Sequence, residues 1–183
     1  MKQKNTVPAP SNWQKKDPGE FPGNPFERIG KEWMLITSGR GESPSREENW
    51  NTMTASWGGL GVLWNKPSAF IFIRPGRHTY GFIESNQLFS LSFFEEKYRD
   101  ALTLCGSKSG RDINKAKESN LSPILFPDSG IGFNEAKDVL VCKKVYYQDL
   151  DSRHFLEPSI AGNYPKKDYH RMFVGEIISY WSR

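Results

Sequence analysis

Several separate segments of this chain pattern as strands, some with apolar and polar residues alternating, and only short stretches repeat near every third or fourth position. A first strand is expected over 33–38, Trp-Met-Leu-Ile-Thr-Ser, followed by a polar loop over 39–49. A second, over 51–57, places Asn51, Met53, Ala55 and Trp57 on one face and Thr52, Thr54 and Ser56 on the other. The glycine-rich run 58–61 is expected to break it and to permit close backbone approach. Residues 69–73, Ala-Phe-Ile-Phe-Ile, are apolar on both faces, as a buried barrel strand would be.

Pro75 predicts a helix start, because its fixed φ and missing N–H are tolerated at the first helical position, and the helix is expected to run to about residue 85. A strand over 88–94 follows. Glu95 opens a second helix with Phe94, Tyr98, Ala101, Leu102 and Cys105 on one face, and Gly106 is expected to stop it. A short helix over 111–118, a loop through Pro123 and Pro127, and a long strand over 139–148 come next, the strand with Val139, Val141, Val145 and Tyr147 on a shared face. An irregular stretch over 155–167 leads to a last long strand over 169–181, bulged at Gly175. Residues 1–26, rich in Pro, Gly, Asn and Lys, read as an extended N-terminal arm without a core face, leaving 27–183 as one domain. The pattern is mainly β, a barrel with a few short helices, and not alternating βαβ units.

Composition narrows the class. Aromatics make up 14% of the 183 residues, enough apolar area for one real core, so disorder is not expected beyond the ends. Lys plus Arg exceed Asp plus Glu by 25 to 21, a net charge of +4 that is too small and dispersed for a nucleic-acid partner. Any phosphate chemistry must therefore be local. Cys105 and Cys142 are isolated from each other and from the three histidines, so neither a metal site nor a disulfide framework is expected. No apolar run reaches the ~18 residues of a membrane span, and no signal peptide is visible, so a cytoplasmic setting is expected.

The run Arg74-Pro75-Gly76-Arg77-His78-Thr79 carries the strongest local chemistry. A helix start presents free N–H groups and a positive dipole end, which favour an anion. Gly76 offers no obstructing side chain, Arg74 and Arg77 offer planar donors, and Thr79 adds a hydroxyl. Three or four charge-assisted hydrogen bonds at ~1.5–3 kcal/mol each would supply most of the ~8 kcal/mol of a micromolar complex. The alternative is an ordinary helix start whose arginines face solvent. Likewise the hydroxyl strip Thr52, Thr54, Ser56 spans about the length of a flat heterocycle, or is simply a solvated strand face.

The run Asn51-Thr-Met-Thr-Ala-Ser-Trp57, then Asn65-Lys-Pro67, then Phe72-Ile-Arg-Pro-Gly-Arg-His-Thr-Tyr80, resembles the flavin reductase-like family of FMN-binding split barrels, which includes flavoredoxin. Cys105-Gly-Ser-Lys-Ser-Gly-Arg-Asp112 and Tyr169-His-Arg-Met-Phe-Val-Gly-Glu176 are similar to that family too, so the ordered set covers about residues 30–180. The resemblance implies a six-stranded Greek-key barrel, a homodimer, and FMN near the dimer interface. Carried onto matching positions, Thr54, Ala55, Ser56 and Trp57 would line the flavin ring and ribityl chain, while Arg74, Arg77, His78 and Thr79 would hold the phosphate. Gly76 stands where similar proteins often have Ser, so a backbone amide would replace one side-chain contact there.

Two residues keep two readings each. Ser109 with Asp112 fits a capping box, or belongs to a loop closing over FMN. His170 either orients nicotinamide near the flavin, the candidate catalytic role, or is a hydrogen-bonded structural histidine. The function expected is an NAD(P)H-dependent flavin oxidoreductase, with NADH or NADPH as donor and hydride transfer to flavin N5. The rival is a flavoredoxin-like FMN electron carrier reduced by a redox partner protein, and a third is another module on the same barrel.

Overall fold

The computed structural model describes residues 9–40, 44 and 47–183. The first eight residues of the expected arm and parts of the 39–49 loop lie outside the described residues. In chain order the elements are β1 (Gln14–Lys16), α1 (Pro25–Gly30), β2 (Met34–Gly39), β3 (Trp50–Ala55), β4 (Gly58–Leu63), β5 (Lys66–Ile73), α2 (His78–Ser85), β6 (Leu88–Phe93), α3 (Arg99–Ser107), α4 (Lys115–Glu118), β7 (Pro123–Leu125), β8 (Ile131–Phe133), β9 (Asp138–Asp149) and β10 (Arg171–Ser182). One antiparallel sheet runs β3-β2-β6-β9-β10-β5-β4, and β1 pairs with the far end of β10, Gln14 opposite Ser182. A separate hairpin joins β7 and β8.

The sheet curls into the expected barrel. Met34 and Ile36 of β2, Met53 and Ala55 of β3, Ile71 and Ile73 of β5, Leu91 of β6, Leu140 of β9 and Phe173 of β10 share one buried interior, although β3 and β5 lie far apart in the strand order. Six strands thus line the interior, and among the described residues no ladder closes β3 onto β5 or β4. The barrel is split at that seam. A second core packs on the outside of β2 and β9, where Leu35, Val139 and Val141 meet Leu102 and Cys105 of α3 and Phe133 of β8.

Several local expectations change. The run 58–61 is not a break but part of β4, a hairpin partner of β5 with Gly59 opposite Phe70. Proline does not open α2: the Arg77 amide bonds the Arg74 carbonyl at 3.0 Å, closing a turn over Pro75 and Gly76, and α2 starts at His78 with Arg77 as its N-cap. Gly106 does not stop α3, which continues to Ser107. A side chain at Gly106 would bring its Cβ within 3.2 Å of Thr54 Cβ, so this glycine lets α3 lie close on β3. The helix expected over 111–118 shrinks to α4, capped by the Asn114 side chain on the Lys117 amide at 2.8 Å. The loop through Pro123 and Pro127 contains β7, the first strand of the β7–β8 hairpin.

The register of β9 on β10 shifts between Val174 and Gly175, so the expected irregularity is present, with the extra residue, Val145, on β9. One extra residue reverses the parity of the faces beyond it. Val139 and Val141 are therefore buried while Val145 and Tyr147 are exposed, and the four do not share a face. In the N-terminal segment, Trp13 is buried in the outer core and Phe21 packs on the barrel. Behind it the buried Arg28 of α1 bonds Asp138 at 2.6 Å, and the Tyr180 hydroxyl donates to the same carboxylate at 2.6 Å. That pair fixes α1 to the barrel end.

Candidate functional site

β3 ends at Ala55, and Ser56 and Trp57 carry the chain across to β4. At the same level β5 ends and leads through Arg74 into the turn before α2. The split barrel therefore opens a cleft of about 170 Å3 here, lined by Thr54, Ala55, Ser56, Trp57, Phe72, Arg74, Arg77 and His170. Six of the residues expected from sequence to touch the flavin, together with His170, meet in this one place.

His170 forms the back wall. It is 8% exposed, its Nδ1 lies 2.8 Å from the Tyr164 hydroxyl, and its ring centroid is 5.1 Å from that of Trp57. Burial pulls its pKa down to about 4, Arg74 adding to the effect and Asp168 opposing it, so the ring is neutral at pH 7. Trp57 is 47% exposed, an aromatic face presented at the mouth.

Arg74 is already paired. It donates to both Asp168 oxygens at 3.0 and 2.9 Å and to the Asn163 carbonyl at 2.8 Å, with its guanidinium 5.1 Å over the Tyr164 ring. The hydrogen bond from Arg74 holds the Asp168 carboxyl below its usual range. Arg74 thus lies at the cleft with its charge largely compensated, and differs from the open phosphate donor expected.

Arg77 is differently placed. It lines the cleft and also a groove of about 580 Å3 along α2, which His78, Phe82, Arg40 and Arg111 share. An adjoining pocket of about 440 Å3 brings His78 and Arg111 together with Asn51 and Lys115. The Arg77 guanidinium donates to the Gly106 carbonyl at 2.7 Å. Burial lowers the His78 pKa, and Arg111 and Lys115 push the same way. Gly76 is exposed with open space around its Cβ position, so nothing in the fold demands glycine there.

The hydroxyls expected to read a heterocycle are mostly engaged inside the protein. Thr52 meets the Thr37 hydroxyl at 2.9 Å, and Thr54 donates to the Leu102 carbonyl of α3. Thr54 and Ser56 of the strip both line the cleft, the Thr54 hydroxyl being taken up by α3. Thr79 is buried and accepts from the Asn51 amide at 2.7 Å, tying α2 to β3. The Ser109 hydroxyl accepts from the Arg111 amide at 3.1 Å in a local turn, so it caps no helix; the loop after it, from Gly110, lines the pocket beside His78.

Sequence reasoning missed Lys115, Arg111 and Tyr164. Lys115 is 6% exposed, and its ammonium donates to the Thr52 and Cys105 carbonyls at 2.8 and 2.6 Å. Burial pulls its pKa down to about 8. A lysine in a short polar stretch reads as surface, and only the packing of α4 under α3 buries it. Cys105 and Cys142 are both buried free thiols, with burial raising each pKa. Among the described residues no three His, Cys, Asp or Glu side chains are grouped to hold a metal ion, and no helix is long and apolar enough to cross a membrane.

The site thus combines a split barrel, an aromatic cleft at its seam and a cationic groove beside it. The flavin reductase like domain matches residues 26–183, and the chain belongs to that family. The fold is similar to that of an FMN-binding domain of a flavin reductases-like enzyme from Shewanella baltica OS155, at 17% identity, covering 93% of this chain and 77% of that one with a TM-score of 0.64. Flavoredoxin from Methanosarcina acetivorans is similar at 20% identity, 83% and 68% coverage, and a TM-score of 0.61. An FMN-binding protein from Thermus thermophilus, solved with bound p-hydroxybenzaldehyde, is similar at 21% identity, 90% and 79% coverage, and a TM-score of 0.63. No curated protein matches the sequence.

Proposed function

We propose that this protein binds FMN at the seam of its barrel and acts as an NAD(P)H-dependent flavin oxidoreductase. The observation that carries the reading is the position of Arg77, which borders both the aromatic cleft and the cationic groove. A ligand with a flat ring at one end and a phosphate at the other fits that continuity. The groove alone falls within the roughly 300–1,000 Å3 of small-molecule sites. FMN would supply the redox chemistry, accepting hydride at N5 from NADH or NADPH.

The chain's own residues position and balance charge. Trp57, Phe72 and His170 provide flat or apolar walls for the ring, and Ser56 with the end of β3 offers polar groups for its edge. Arg77, His78, Arg111 and the α2 start would hold the phosphate, with Lys115 adding a buried positive charge behind them. Thr54 and Thr79 act from behind, by tying α3 and α2 to β3. Negative charge gathering on reduced flavin would be met by Arg77.

The proposed state is a homodimer. Val62 and Trp64 at the tip of the β4–β5 hairpin are 75% and 60% exposed, apolar surface that a second copy would cover.

Anaerobic stopped-flow mixing of the FMN-loaded protein with NADH and with NADPH tests the donor. Bleaching of the flavin absorbance with either one is expected. Bound flavin that stays oxidised with both, and is reduced only by a redox protein, would replace the reductase by a flavoredoxin-like carrier.

A further inference from the structure

The segment between β9 and β10 contributes more to the cleft than a covering loop. Its Asp168 and the Asn163 carbonyl grip Arg74, and Tyr164 lies under that guanidinium with its hydroxyl on His170. Phe155 stacks on Tyr164 at 5.8 Å, and Tyr169 packs against both rings. Tyr164 is therefore held on its faces and has one polar atom, aimed at Nδ1 of His170.

The hydrogen bond has two possible directions, and only one leaves every proton satisfied. If Nδ1–H donated to the phenol oxygen, the phenol proton would need its own acceptor. Around Tyr164 lie Arg74, which only donates, aromatic rings, and Asp168, whose two carboxylate oxygens already accept from Arg74; the hydroxyl's hydrogen-bond contact is with Nδ1 of His170. An unpaired hydroxyl in such a buried place is costly. With the phenol donating, Nδ1 accepts, and Nε2 carries the ring proton toward the cleft.

We propose that Tyr164 is a positioning residue that fixes His170 as its Nε2–H tautomer, so that His170 serves the cleft as a neutral hydrogen-bond donor to a carbonyl oxygen or ring nitrogen of the bound redox pair. This rests on the flavin reading above and gives His170 a role that moves no proton. The groups facing the imidazole are Arg74 and Arg77 from the β5–α2 turn, and Asp168 and Tyr164 from the β9–β10 segment. Burial foremost, and then two cations against one carboxylate, disfavour a second ring proton.

Two measurements test it. Long-range 15N–1H correlation on ligand-free, 15N-histidine-labelled protein reads the tautomer directly and does not depend on FMN. From pH 5.5 to 8, His170 should show one pyridine-like Nδ1 and one protonated Nε2. Tyr164→Phe should mix the tautomers while His78 and His154 keep their signals. A protonated Nδ1 in the unmodified protein, or one unmixed tautomer in the phenylalanine variant, would overturn the proposal.

The second uses flavin reduction by NAD(P)H. His170→Gln keeps an N–H donor and cannot titrate, so it should retain the rate within about 3-fold and the same pH profile, whereas His170→Phe should lose roughly 3–10-fold. Equal, large losses in both would mean that the imidazole exchanges protons and would overturn the donor role. A protein that shows the Nε2–H tautomer yet takes up no FMN would refute the flavin reading and leave the tautomer assignment standing.

Discussion

Replacing Lys115 by Met would change how stability depends on pH. The ammonium is buried, donates to two backbone carbonyls, and has its pKa drawn down to about 8 by burial, with Arg77 assisting and Cys105 opposing. The unfolded chain regains the ordinary lysine value near ~10.5. Between those values the unfolded state holds a proton that the folded state lacks, so stability rises with pH through that window and the penalty is fully present below it. At ~1.4 kcal/mol per pH unit the gap amounts to about 3 kcal/mol. Methionine abolishes this dependence and removes the ammonium from the Cys105 carbonyl, at roughly 1–3 kcal/mol independent of pH, while the Thr52 carbonyl keeps the Asn51 side-chain amide at 3.3 Å. Urea unfolding followed by tryptophan fluorescence, at steps from pH 7 to 10.5, measures both proteins. The variant should lose about 3 kcal/mol relative to the parent across that range. Parallel curves would refute the reasoning and place the lysine in a solvated position.

Two further outcomes probe the scaffold. Arg28→Met strips the buried Asp138 of its cation while the Tyr180 hydroxyl remains, and should cost about 3–5 kcal/mol in thermal or urea unfolding. Gly175→Ala places a Cβ 2.5 Å from Phe89 Cζ and 2.9 Å from Cys142 Cβ, inside the bulged crossing of β9 and β10, and should cost about 1–3 kcal/mol by the same assay.

The barrel was legible because its strands keep alternation where one face is buried: Met34 and Ile36, Met53 and Ala55, and the run 69–73 announce themselves. The β4 strand was hidden because glycines at 58, 59 and 61 remove the side chains from which a strand is read; pairing with β5 makes it one. The start of α2 was misread because Pro75 suits a turn's second position as well as a helix's first, and the Arg74–Arg77 hydrogen bond decides for the turn. Likewise, Thr52 and Thr54 alternate as a ligand-facing strip would, but the helix packed over them is remote in sequence.

The candidate site divides along the same line. Thr54 to Trp57 and Arg74 to Thr79 form contiguous motifs, and the fold brings both to the seam. Tyr164, Asp168 and Lys115 reach it only through tertiary packing from irregular or very short segments, where no period marks them. Arg74 shows the limit most sharply: its identity was readable, but its capture by Asp168 was not.

The central claim is a seat for FMN at the barrel seam, and titration of the purified protein with FMN, read by quenching of tryptophan fluorescence and by equilibrium dialysis, tests it most directly. The account predicts saturation at one FMN per chain near ~1 μM, weakened ~10–100-fold by Arg77→Ala. No uptake at ~100 μM, or binding indifferent to Arg77, would contradict it.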